Sequence, residues 1–192
     1  MESVRTVVKR FGLFEFGTVI PDLMIHGKPA PYPVLNERAI RAGAGLMFAA
    51  GSFAFFQAFY LREFVYIQWL VIFFLFDFAM KVLVGMRFSP VSRLSNLIVK
   101  NQLPEYVGAV QKRFAWTIGL LLAAVMTLLI FGFGIIGPIN LVICGVCLTF
   151  MFMESAFGIC VGCKIYGGLM TLGIIPVPEH KPVCPGNVCS IE

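Results

Sequence analysis

The sequence predicts an all-α membrane protein, a polytopic four-helix transmembrane bundle with interfacial amphipathic segments. Three observations carry this expectation. Apolar residues fill 59% of the 192 positions, and mean hydropathy is +0.89. Charged residues make up 13%, against about 25% in soluble domains, too few to cover a water-facing surface. Four apolar runs each reach the ~20 residues needed to cross a bilayer core. The 20 phenylalanines and 19 glycines fit a chain that meets lipid with large side chains and its own helices with small ones.

Residues 1–41 form a lead. Its opening, MESVRTVVKRFGLF, has charge but no clean apolar core of a signal peptide, so the spans themselves are expected to insert the chain. VRTVVKRFGLFEF suits a short amphipathic helix lying on the membrane. KPAPYP, residues 28–33, reads as a stiff connector, because each proline pushes its predecessor out of the helical region. A membrane domain follows at 42–172, with spans near 42–61, 64–86, 114–136 and 139–163. Between spans two and three, RFSPVSRLSNLIVKNQLPEYVGAVQKRF sets Leu94, Leu97 and Ile98 at helical spacing beside Arg93 and Lys100. This predicts an interfacial helix closed by Pro104. Residues 173–192 form a proline-rich, cysteine-bearing tail. No repeat of 20–50 residues is present.

Basic residues set the expected orientation. Arg38, Arg41, Arg87, Arg93, Lys100, Lys112, Arg113 and Lys164 fall on one side, and Arg62 stands alone on the other. The positive-inside rule then places both termini in the cytoplasm. The net charge of +5 reflects topology and attraction to anionic lipid, and nucleic acid is not an expected partner. Tyr60, Tyr66 and Trp69 are expected as outer aromatic anchors, with Trp116 and Tyr166 as inner ones.

Three ionisable residues fall inside spans. Asp77 and Lys81, four apart, share a helix face. They lie about 15 and 9 Å from Arg87, and Glu154 about 14 Å from Cys163, at 1.5 Å per residue. The similar depth predicts one buried cluster of Asp77, Lys81 and Glu154. It would serve to fix helix register or to relay protons or ions.

The six cysteines are Cys144, Cys147, Cys160, Cys163, Cys184 and Cys189. Cys160 and Cys163 form a C-x-x-C at the inner end of span four. At three-residue spacing their Cβ atoms come within about 5–6 Å, close enough for a disulfide or for holding a thiophilic metal. Lys164 would favour thiolate, whereas a helix C-terminus would oppose it unless the chain breaks at Gly158 or Gly162. Gly158 and Gly162 also form G-x-x-x-G, which admits a close neighbouring helix. On a continuous helix Glu154 points about 240° and 180° away from the two thiols, so acid and thiols read as separate devices. Cys144 and Cys147 read as packing residues. Cys184 and Cys189, with His180, could bind a soft metal or act as a thiol arm. No phosphate loop, nucleotide fingerprint or Ser-His-Asp set is present. Both histidines fall outside the spans, so no cofactor is expected.

Three segments in order carry a family resemblance. AFGICVGCKIY (156–166) resembles an A-F-G-[FI]-C-x-G-C-x-x-Y signature. RFSPVSRLSNLIVKNQL (87–103) looks like a basic S-P-x-x-x-L-x-x-x-x-V segment, and KRFAWTIGLLLA (112–123) is similar to an R-F-A-x-x-[IV]-G opening. All belong to a bacterial membrane family, domain-of-unknown-function family 4395. The resemblance covers about 36–168 and leaves out the lead and tail. It implies a bacterial inner-membrane location, and thiol or sulfur chemistry at Cys160 and Cys163. Three function classes follow: thiol-disulfide or sulfane-sulfur exchange with a cytosolic partner, soft-metal binding or transport, and an accessory subunit of a larger membrane complex.

Overall fold

The computed structural model describes residues 17–21, 23–25 and 28–175. The first sixteen residues and the tail from 176 lie outside the described residues. With them lie the amphipathic lead and the His180, Cys184 and Cys189 set.

Six α-helices account for most of the described residues. α1 (Glu37–Tyr60) starts at Asn36, whose side chain accepts the Arg38 N–H at 3.1 Å, with Glu37 complementing the helix dipole. α2 (Val65–Ala79) runs on through a π-helical turn, Met80–Val84, and stops at Gly85 (φ +131°). α3 (Pro90–Ile98) is capped by Ser89 with proline in its first turn, a position where the missing N–H costs nothing. α4 (Ala109–Thr127) also ends in a π-helical turn, Leu128–Gly132. α5 (Pro138–Phe157) and α6 (Val161–Thr171) complete the set. Among the described residues β1 (Met24–Ile25) pairs with β2 (Lys28–Pro29), and β3 (Val34–Asn36) pairs antiparallel with β4 (Tyr106–Gly108).

Four helices are long and apolar enough to span: Glu37–Tyr60, Val65–Val84, Ala109–Gly132 and Pro138–Phe157. The protein is a four-helix transmembrane bundle. Phe53, Phe56, Phe76, Leu121, Phe131 and Val142 face outward, as lipid contact demands. α1 packs on α5 and α3, α2 on α4, and α4 on α6. Two apolar clusters fill the interior. One joins Ile40, Met47, Phe78, Val82 and Trp116, and the other joins Ala54, Ile67, Val71, Met126 and Ile130.

α3 shows what an interfacial position selects. It buries Val91, Ser92 and Ser95 and exposes Leu94, Leu97 and Ile98. Small serines let it lie close to α1 at Gly43, while the leucines face outward where acyl chains would be.

Two expectations are corrected. Span four ends at Phe157 rather than Cys163, because Gly158 takes the left-handed conformation (φ +67°) that closes a helix. Trp116 is 7% exposed and faces the core rather than the interface. Its ring centroid lies 5.7 Å from Lys81 Nζ, and a cation held by an aromatic face outweighs a place in the headgroup belt.

Candidate active site

The break at Gly158 decides the chemistry of the thiol pair. The N–H groups of Gly158 and Ile159 turn back to the carbonyls of Glu154 and Met153, and Arg41 donates to those of Ser155 and Ala156 at 3.3 and 3.2 Å. The carbonyls of residues 153–156 at the end of α5 are thus satisfied, and a new helix begins after three residues. Cys160 is the N-cap of α6, and its sulfur accepts the Cys163 N–H at 3.3 Å. The pair therefore sits at a helix N-terminus, where partial positive charge favours thiolate. A hydrogen bond from the Cys163 thiol, the N-terminal amide and the nearby Lys112 ammonium hold the Cys160 thiol below its usual pKa. Cys163, the donor, is pushed up. The two thiols thus differ in acidity.

Gly162 fixes the approach of α6 to α4. A Cβ there would lie 2.5 Å from Ala115 Cβ and 2.7 Å from its Cα, so only glycine permits this contact. Ala115 is one turn from Lys112, which brings that ammonium beneath the thiols. Lys112 is 1% exposed, and its Nζ lies 2.5 Å from Glu154 Oε1. The cation serving the pair is Lys112. Lys164 is exposed and contributes its backbone N–H to the Cys160 carbonyl at 3.1 Å.

The three intramembrane charges belong to two ion pairs. Asp77 Oδ2 lies 2.6 Å from Lys81 Nζ. Its other oxygen accepts the Ser89 hydroxyl at 2.6 Å and the Val91 N–H at 3.1 Å, pinning the start of α3. Lys81 also lies 3.8 Å from Met47 Sδ and 5.4 Å from the Phe78 ring centroid. Glu154 is held by Lys112, although it and Lys81 both line a cavity of about 50 Å³ to which α1, α3 and α5 also contribute.

Glu154 and Cys160 share a cavity. The turn at Gly158 folds α6 back, so that Glu154 and Cys160 line one larger cavity of about 120 Å³. Cys144, Cys147, Met151 and Glu154 recur at helical spacing along α5, and all four line this cavity. Cys144 and Cys147 are half-buried free thiols. Among the described residues no group of three or more His, Cys, Asp or Glu is disposed to hold a metal.

Fold and site together define the class: an integral membrane protein of four spans carrying a paired thiol at a helix start. The chain belongs to the family described as Domain of unknown function (DUF4395), whose model matches residues 35–171. No curated protein and no solved structure matches it.

Proposed function

We propose that Cys160 and Cys163 are the working dithiol of a membrane-bound exchanger of disulfides or sulfane sulfur. The observation that carries this reading is the position of Cys160. It caps α6 above the Lys112–Glu154 pair. The Cys160 thiolate attacks one sulfur of a partner disulfide and releases the other as a thiolate. The Cys163 sulfur, once deprotonated, attacks the mixed disulfide. This frees the partner's second thiolate and leaves a Cys160–Cys163 disulfide. A persulfide partner would give up its outer sulfur to Cys160 in the same way.

The basic residues support a bacterial inner-membrane protein with both ends of the bundle in the cytoplasm and a cytosolic thiol or sulfur-transfer protein as partner. On this reading residues 42–172 are the membrane unit, with the lead and tail as appendages. Cys160 is 4% and Cys163 1% exposed, so a protein partner reaches them only as α6 lifts about Gly158.

The test is a redox titration of the purified protein with dithiothreitol or glutathione. A two-electron couple is expected, abolished by Cys160→Ser and by Cys163→Ser. Thiols that stay unreactive in the folded, reduced protein would favour an accessory-subunit role. A Cys163→Ser protein should trap the partner as a mixed disulfide.

A further inference from the structure

The same cavity that receives Cys160 has walls of a different character. Ile67, Val71, Phe74, Phe78, Trp116 and Leu122 line it from α2 and α4, and its carboxylate and thiols come from α5 and the start of α6. It is partly open. Apolar cavities of roughly 150 Å³ stay dry and take up benzene. About 120 Å³ therefore accommodates, with small side-chain adjustments, the ring of a monocyclic compound. A hydrated ion or a charged tripeptide thiol would lose its hydration against such walls without compensation. The thiols are shielded from water, yet Cys160 faces this space. The small reagent best suited to that route is neutral, planar and lipid-soluble.

We propose that the cavity binds a lipophilic quinone and that the Cys160–Cys163 dithiol reduces it. The inference rests on the dithiol reading and extends it by naming the electron acceptor. The step balances. The Cys160 thiolate, the Cys163 thiol, the quinone and one proton become a Cys160–Cys163 disulfide and a hydroquinone. A new S–S bond forms, and the two electrons it releases reduce the ring. One proton comes from the Cys163 S–H, and the other is taken up through Glu154, which lines the cavity beside Cys160. The hydroquinone leaves to the membrane, and the disulfide is available to a partner. The neutral ring meets Phe74, Phe78 and Trp116, and its oxygens lie toward the end of the cavity that Glu154 and Cys160 line.

The experiment uses the full chain in detergent with a short-chain benzoquinone. The protein has two tryptophans, and Trp69 is 71% exposed and does not line the cavity. Trp69→Phe leaves Trp116 as the sole reporter. Saturable quenching of Trp116 by the quinone is expected, and it persists in Trp69→Phe/Cys160→Ser, where the dithiol is gone. Anaerobically, the reduced protein should convert about one quinone per chain to hydroquinone with loss of two thiols, and Cys160→Ser should convert none. Quenching that rises linearly, as for simple partition into the micelle, overturns the binding site. A pair that titrates with dithiothreitol but leaves the quinone unreduced overturns this inference and spares the dithiol reading. A pair that titrates with neither reagent overturns both.

Discussion

Lys112 Nζ lies 2.5 Å from Glu154 Oε1, and this contact joins the start of span three to the C-terminal end of span four, close to the thiol pair. Lys112 is nearly inaccessible to solvent and the Glu154 side chain is 17% exposed, so neither charge can be shed cheaply into water. Removing one member leaves the other uncompensated, a loss of about 3–5 kcal/mol for a buried pair. Lys112→Met should therefore destabilise more than Lys112→Met/Glu154→Gln in thermal unfolding. It should also slow alkylation of Cys160. Equal loss in the single and double variants would mean that Lys112 acts through packing of its stem.

The pH dependence of that alkylation has a definite sign. The reactive form is the thiolate, and the Cys160 thiol is held below its ordinary range by the Cys163 hydrogen bond and Lys112. Iodoacetamide reactivity is thus low at acidic pH and rises as pH passes the depressed value. It levels off at lower pH than for a free thiol of pKa about 8.5. Cys163→Ala removes the donor and should move the profile toward higher pH. An unmoved profile would assign the effect to the helix terminus and Lys112 alone.

Gly162 offers a steric test of the same site. Gly162→Ala places a methyl 2.5 Å from Ala115 Cβ and must push α6 from α4. The expected outcome is a lower melting temperature and an alkylation profile closer to that of an ordinary thiol. Ala115→Gly in the same chain removes one of the two close atoms and should restore part of both. Full activity in Gly162→Ala would show that the α4–α6 contact does not set the position of the thiols.

The two ion pairs should behave as separate units. Lys81→Met and Glu154→Gln share no partner, so their destabilisations should add to within about 0.5 kcal/mol. A larger coupling would reinstate a single three-residue cluster across the small cavity that Lys81 and Glu154 both line.

Orientation is tested by labelling in intact cells. Arg62→Cys, in the α1–α2 turn, should react with an impermeant reagent, and Asn101→Cys, exposed after α3, should not. The reverse pattern would place the thiol pair on the opposite side of the membrane.

Much of the bundle was legible because apolar length alone marks a span. α1 begins five residues before its apolar run, since Asn36 supplies a cap and Glu37 a favourable first-turn charge. The site was legible only in part. The thiol pair and the condition for its activation, a break at Gly158 or Gly162, are visible in the sequence. The role of Lys112 is not, because a lysine before a span is already explained by topology, and nothing local marks its approach to residue 160. The approach of Cys160 to Glu154 is not legible either, for a related reason. Counting about 100° per residue holds only while the helix continues, and one left-handed glycine resets the count.

The strand pair β3–β4 has a consequence for biogenesis. It joins residues 34–36 to 106–108, and the Glu37 N–H adds a bond to the Glu105 carbonyl at 2.7 Å. Spans one and three therefore leave from one clasp, although span two and α3 separate them in the chain. Chains emerge from the ribosome N-terminus first, so the first hairpin can be inserted before the clasp has its second strand. Closing it then sets the height of the second hairpin against the first, and the depth at which Lys112 meets Glu154 is inherited from that single late event.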